Sequence, residues 1–341
     1  MNRRGFIKNA GLTAMTGKTA AAGLALAAPP SSGREKFPRI RIGICADLHQ
    51  DIMHDAPRRL EAFITDMNKQ KPDLILQMGD FCTPVDKNQV ILDIWNRFPG
   101  PRYHVIGNHD TDGGHTREKV VEFWNIPGKY YSFDQQGYHF VILDGNEKRP
   151  GDTSKGYGRY ITDPQLKWLE TDLDKTDLPT FVFCHQGWDN DISGILNATK
   201  CRLLLERANT RAGHRKVQAV FSGHHHQDYH NTYNGIHYIQ INSMSYYWVG
   251  EQRPVIRYGE AVDKEHPAIK FTAPYKEPLW AIMDVSEDGA LHITGQRSEF
   301  VGPSPEEMGG KDIYDMGYTA SPFISDRKIQ LSTKPFEYSN S

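Results

Sequence analysis

The chain has 341 residues, 38% hydrophobic and 24% charged, with 30 Gly and 20 Pro. That is the make-up of a globular protein with one large domain or two ordinary ones, and it excludes collagen, coiled coil and a disordered chain. Lys+Arg 40 against Asp+Glu 42 leaves a formal charge of −2, so no basic field favours long nucleic acid, and 4 Cys are too few for a disulfide framework.

The N-terminal stretch Asn2-Arg3-Arg4-Gly5-Phe6-Ile7-Lys8 precedes a weakly apolar run from Ala10 to Ala28, rich in Ala, Gly, Leu and Thr and interrupted by Lys18. A membrane span needs roughly 20 apolar residues, which this run does not supply. With the small-residue site Ala25-Leu26-Ala27 it reads as a signal peptide. The paired arginines resemble the bacterial twin-arginine export signal. That resemblance implies transient contact with the twin-arginine export machinery and a periplasmic or extracellular location, with no membrane span in the mature chain. Residues 1–28 are expected to be the signal, 29–37 a polar linker and 38–298 the main domain.

Five apolar runs then end in polar clusters. Ile40 to Cys45 runs into Asp47-Leu48-His49, and Asp73 to Met78 into Gly79-Asp80. Tyr103 to Ile106 runs into Gly107-Asn108-His109-Asp110, Phe181 to Cys184 into His185-Gln186, and Val217 to Phe221 into Ser222-Gly223-His224-His225-His226. Short β-branched and aromatic runs stopped by Gly or polar residues predict buried strands. Gln240 to Ser245 predicts a sixth, followed by Tyr246-Tyr247-Trp248.

Between the strands, residues 57–70 place Leu60, Phe63, Ile64 and Met67 on one helical face, and Asp163-Pro164 starts a second helix with Asp163 as its cap. Ala198 to Ala208 is helical as well. Hairpins are predicted around Gln136-Gly137 and around Glu287-Asp288-Gly289. Alternating strands and helices predict an α/β fold with its site at the carboxyl ends of the strands. Residues 299–341 lose periodicity and predict a surface-wrapping or partly disordered C-terminal extension.

The polar clusters present Asp47, His49, Asp80, Asn108, His185, His224 and His226, and no Ser or Cys nucleophile in a recognised setting. Carboxylate and amide oxygen mixed with imidazole suits Mn, Fe or Zn. A mononuclear zinc site needs three or four ligands, whereas seven suit two ions sharing one carboxylate.

In this order the motifs resemble the calcineurin-like metallophosphoesterase superfamily, over roughly Arg39 to His226. The resemblance implies a four-layer α-β-β-α sandwich of two mixed sheets between helices. It implies two divalent or trivalent metal ions, with Asp47, His49 and His226 on the first, Asn108, His185 and His224 on the second, and Asp80 bridging. It implies hydrolysis of phosphomonoesters, phosphodiesters or nucleotide phosphoanhydrides by a metal-bridging hydroxide, on a small phosphorylated substrate such as a nucleotide. His109 matches the family histidine that contacts the phosphoryl group or protonates the leaving group.

In many relatives an acidic or amide residue three places after the bridging carboxylate orients that histidine. Here the place holds Thr83, so Asp86, Asp110 or another group must do so. The same departure supports an alternative, an exported non-catalytic metal-binding module that recognises phosphorylated ligands. His54, His115 and Tyr246 are further candidates for substrate contact, and Tyr157, Arg159 and Lys155 on a Gly-rich loop for phosphate contact. His225 is expected to point away from the metals if its strand continues. Cys45, Cys82, Cys184 and Cys201 are expected to be buried, inert thiols.

Overall fold

In the computed structural model, residues 36–190, 192–309 and 320–336 are described; the expected signal segment and most of the linker lie outside them. The first half of the chain runs β1 (Ile40–Cys45), α1 (Ala56–Gln70), β2 (Leu74–Gln77), α2 (Gln89–Trp95), β3 (Arg102–His104), α3 (Arg117–Trp124), β4 (Tyr131–Gln135), β5 (Tyr138–Leu143) and α4 (Asp163–Leu173). There follow β6 (Thr180–Cys184), α5 (Ala198–Ala212), β7 (Val217–Ser222), β8 (Tyr229–Tyr233), β9 (Ile236–Gln240) and β10 (Tyr246–Trp248). The chain ends with α6 (Glu260–Glu265), β11 (Thr272–Pro274), β12 (Ala281–Val285), β13 (Ala290–Gly295) and β14 (Arg327–Gln330).

Two six-stranded sheets result, ordered β14-β13-β12-β1-β2-β3 and β4-β5-β6-β7-β9-β8, with β10 and β11 as a separate ribbon. Both sheets are mixed: β1, β2 and β3 are parallel and β12 is antiparallel to β1, while β5, β6, β7 and β9 are parallel and β4 and β8 antiparallel.

Strand alternation explains the four layers. Ile42, Ile44, Leu74 and Leu76 of the first sheet face Phe140, Ile142, Phe181, Phe183 and Phe221 of the second in one buried cluster. On the outer face of the first sheet, Cys45 and Ile75 pack with Leu60, Phe63, Ile64 and Met67 of α1, Trp95 of α2 and Trp124 of α3. On the outer face of the second, Val141, Val182 and Cys184 pack with Leu166 and Leu169 of α4 and Leu205 of α5. The four-layer α/β sandwich of two mixed sheets between helices is thus present. No helix among the described residues is long and apolar enough to cross a membrane.

The structure corrects several local readings. Helices α2 and α3, at 7 and 8 residues, are too short to show a helical period, and the pattern reading passed over them. Thr162, not Asp163, is the N-cap of α4; Asp163 sits in its first turn, where its charge suits the positive helix end. The expected strand at 240–245 ends at Gln240; β9 begins upstream and pairs with β8 through an Asn234-Gly235 turn with both residues at positive φ. The Gln136-Gly137 turn between β4 and β5 has the same geometry. Within the stretch expected to wrap the surface, β14 pairs antiparallel with β13, and Ile324, Ile329 and Leu331 join the inter-sheet core.

One buried residue makes stability pH-dependent. His104 on β3 is enclosed by Phe81, Trp95 and Trp124, and burial, aided by Arg102, pushes its pKa down to about 3. The native state therefore refuses a proton that the unfolded chain takes up below about 6.5. The contribution is full above that pH and declines as pH falls toward 3, by about 2 kcal/mol at pH 5. Denaturant unfolding of the wild type and His104→Gln at pH 7 and pH 5 should show a smaller acid loss in the variant.

Candidate metal centre

The parallel strands β1, β2 and β3 all end on the same side of the first sheet, as β6 and β7 do in the second, and the polar clusters follow those ends. Backbone hydrogen bonds lace the first sheet's loops together: Asp47 N–H donates to Gly79 O at 3.0 Å and His49 N–H to Asp80 O at 2.8 Å. Ser243 Oγ donates to Asp47 O and Ser245 Oγ to Leu48 O, at 2.9 and 2.8 Å, so the segment after β9 supports the β1 loop from beneath. Asp110 ties two further loops together, accepting N–H bonds from Asp80, Phe81, Cys82 and Gly107 at 2.7–3.0 Å. The sheets are linked where His185 Nδ1–H donates to Met78 O at 2.7 Å, which leaves its Nε2 turned toward Asp80.

The seven residues singled out in the sequence are all buried or nearly so, and the fold gathers the carboxylates and imidazoles among them into two groups. The side-chain ligand atoms of Asp47, His49 and His226 lie within 4.8 Å of one another, and so do those of Asp80, His185 and His224. Asp80 Oδ2 stands between the groups, 3.1 Å from His185 Nε2 and 3.7 Å from His49 Nε2. Its Oδ1 is held by the His109 N–H at 2.8 Å. His226 Nε2 lies 3.2 Å from Asp47 Oδ1 and 3.0 Å from His49 Nε2.

Five of the seven, Asp47, His49, Asp80, His224 and His226, adopt left-handed backbone angles with φ of 51–73°. Such a conformation costs of order 1–3 kcal/mol per residue and clusters at functional sites. Close packing adds to the constraint. A Cβ on Gly107 would lie 2.2 Å from both Asp80 N and Asp80 Oδ1, and one on Gly79 would lie 2.5 Å from His185 Nδ1. Gly107→Ala should therefore displace the Asp80 carboxylate, cost about 1–3 kcal/mol and lower bound metal. Thermal unfolding and metal analysis of the purified variant check this.

The electrostatics are those of a site built for positive charge. Burial works against the Asp80 charge, yet His185 and His109 beside it hold its carboxyl well below the usual carboxylate range. Burial opposes a charge on His185 too, but the adjacent Asp80 and Asp47 push it up to about 9. Burial holds His49 and His224 well below the usual histidine value. Asn108 Oδ1 is buried without a hydrogen-bond partner, an arrangement that costs free energy unless another group satisfies it. A buried, unpartnered amide oxygen suits a bound cation, and two carboxylates, four imidazoles and this amide are donors that fit two ions of the Mn, Fe or Zn type.

His109 has an acidic partner, though not one of those expected. Asp112 Oδ2 lies 2.7 Å from His109 Nδ1, while Asp110 is taken up by backbone N–H groups and Asp86 stands in a separate short turn. Thr83 is occupied elsewhere: its N–H and Oγ donate to Asp51 Oδ2 at 2.8 and 2.9 Å. Tyr157 OH donates to Asp112 Oδ1 at 2.6 Å and lies 3.3 Å from His109 Nδ1. Burial lowers the His109 pKa, but the Asp80 charge and the Asp112 hydrogen bond outweigh it and push it up to about 9. The reading of the sequence missed Asp112; its one signal was an acid three residues after His109, one turn away if the loop coils.

The other candidates divide. Tyr246 borders a cavity that His49, Asp80 and His109 also line, and its ring packs on His49 and His226 at 4.8 and 4.9 Å between centroids. His225 borders the cavity as well, because β7 ends at Ser222 and does not continue. His115 lines a separate cavity with Asn108 and Tyr157. His54 packs instead against Tyr258 and His266, at 4.2 and 6.3 Å. Arg159 is tied to Gly194 O. All four cysteines are buried and unbridged, and burial raises every thiol.

Three comparisons with known proteins bear on this site. A 3',5'-cyclic-nucleotide phosphodiesterase of Nostoc sp. is 23% identical over 268 residues, covering 72% of this chain and 91% of that protein. A serine/threonine-protein phosphatase of Mus musculus is 34% identical over 147 residues, covering 40% of this chain and 45% of its own length. A solved dimetal phosphatase from Danio rerio has the same fold, with a TM-score of 0.56 at 13% identity, covering 78% of this chain and all of that one. The calcineurin-like phosphoesterase family model matches residues 40–228, the span from the first strand to just past His226. The chain is therefore a hydrolase that belongs to the calcineurin-like phosphoesterase family.

Proposed function

We propose that the protein is a dinuclear metal-dependent phosphoesterase acting on small phosphomonoesters, phosphodiesters or nucleotide phosphoanhydrides. The observation that carries this reading is the position of Asp80 Oδ2 between the two ligand groups. Asp47, His49 and His226 would hold one ion, Asn108, His185 and His224 the other, and Asp80 both. A pair of such cations, when bound, acidifies a water held between them and neutralises phosphoryl charge.

The chain's own residues do the rest. His185 is fixed in ring orientation by Met78 O, and Asp47 is fixed by the His224 N–H, which reaches both of its carboxylate oxygens at 3.1 Å. Asp112 holds the Nδ1 side of His109, leaving Nε2 to give a proton to the departing oxygen. The Asp112 contact also removes the main motive for a non-catalytic module, which was the missing partner at Thr83. We read the Arg3-Arg4 segment as an export signal, which would place the mature chain in the periplasm or outside the cell.

The test is direct. Purified protein loaded with Mn, Fe or Zn is assayed on aryl phosphate mono- and diesters. Metal-dependent release of the aryl alcohol from at least one is expected. Two bound ions with no turnover of any ester would overturn the reading.

A further inference from the structure

The cavity over the metal centre has a volume of about 450 Å³, far more than a phosphoryl group needs and in the range of small-molecule sites. One wall is the strand β10. Its first residue, Tyr246, lies against His49 and His226, and the next, Tyr247, belongs to the inter-sheet core. Side chains alternate along a strand, so Trp248 returns to the face of Tyr246, about 7 Å along the strand from it, and it borders the same cavity. Pairing with β11 fixes this register, Trp248 standing opposite Thr272, and the edge of Phe271 meets the Trp248 ring at 6.1 Å.

Trp248 is nevertheless 41% exposed. Among the described residues, the exposed large apolar side chains that border this cavity are Trp248 and Ile192. An indole and a branched alkyl group left bare on one small cavity mark a binding surface. Gln252 also lines the cavity and adds an amide that can donate or accept.

We infer that the substrate carries a nucleobase, stacked on Trp248 while its phosphoryl group sits over the paired clusters. The inference rests on the phosphoesterase reading for the place of the phosphoryl group. The chemistry of the wall selects the class. A phosphorylated sugar or a phosphoserine has no aromatic face to lay on an indole, whereas a nucleotide carries one beyond its sugar. Every base has a face to stack, so the platform accepts bases without strong choice among them. The modest volume and the absence of a basic field fit a mononucleotide-sized ligand rather than a long strand.

The test compares two ligands that differ only in the base. Metal-loaded protein is titrated with the non-hydrolysable methylenephosphonate analogue of adenosine 5'-monophosphate or of ribose 5-phosphate, and binding is followed by isothermal titration calorimetry, which needs no tryptophan reporter. The nucleotide should bind about ten-fold or more tightly. In Trp248→Ala the ratio should collapse to near one, and Trp248→Phe should keep most of it. Equal affinities in the wild type, or a ratio unchanged in Trp248→Ala, would overturn the inference. Because affinity is read apart from turnover, absent hydrolysis with the ratio intact would count against the phosphoesterase reading alone. Hydrolysis with a ratio of one would count against the nucleobase site alone.

Discussion

Asp80→Asn is expected to lower bound metal from two ions per chain to one or fewer and to reduce kcat/KM by about a thousand-fold, several kcal/mol of transition-state stabilisation. The geometry gives the reason. Asp80 Oδ2 approaches an imidazole of each group, at 3.1 and 3.7 Å, whereas Asp47 Oδ1 is close to His226 at 3.2 Å but stands 3.9 Å from His185 of the other group. The amide keeps the side chain's size and can still accept the His109 N–H bond now made to Oδ1. It also tolerates the left-handed backbone at this position, where φ is 53°. Folding should thus be preserved while the negative charge between the two ligand groups is lost. Metal analysis beside steady-state kinetics checks both halves. A variant that retains two ions and full activity would remove Asp80 from the centre of the site.

His109→Ala should behave differently. Two ions should stay bound, because its side chain is outside both ligand groups. Turnover of esters with poor alcohol leaving groups should fall by about 10²–10⁴-fold, the usual worth of a positioned proton donor. A nitrophenolate departs with little protonation, so nitrophenyl esters should lose much less. Asp112→Asn should produce the same leaving-group pattern at about 10–100-fold, the usual scale for a partner that only orients. Asp112 is half-exposed and in a loop, so its loss should not unfold the protein. Equal losses for good and poor leaving groups would assign His109 to phosphoryl binding instead of proton transfer.

Most of the candidate ligands were readable in the sequence because they follow buried strands; Asn108 follows the short and only partly buried β3. Ile40–Cys45, Leu74–Gln77 and Val217–Ser222 are runs that only a sheet interior explains, and a parallel sheet presents its strand ends on one side. The partner of His109 was not readable in that way. Asp112 reaches back only because the short helical turn breaks there, with extended backbone at Asp112 and φ of 76° at Gly113. That is a loop conformation, and no period encodes it. Two other misses have plainer causes. The hairpin signal Asn234-Gly235 was present and was passed over, and with it β8 and β9. Strand β14 carries a single buried apolar residue, Ile329, between polar neighbours, so its place at the sheet edge is decided by pairing with β13 rather than by its own pattern.

The most direct measurement is anomalous diffraction from crystals of the protein grown with Mn or Zn. Two peaks per chain are expected, about 3.5–4 Å apart. One should fall among Asp47, His49 and His226 and the other among Asp80, His185 and His224, with Asp80 touching both. A single peak, or ions bound away from Asp80, would contradict the dinuclear site and the chemistry built on it.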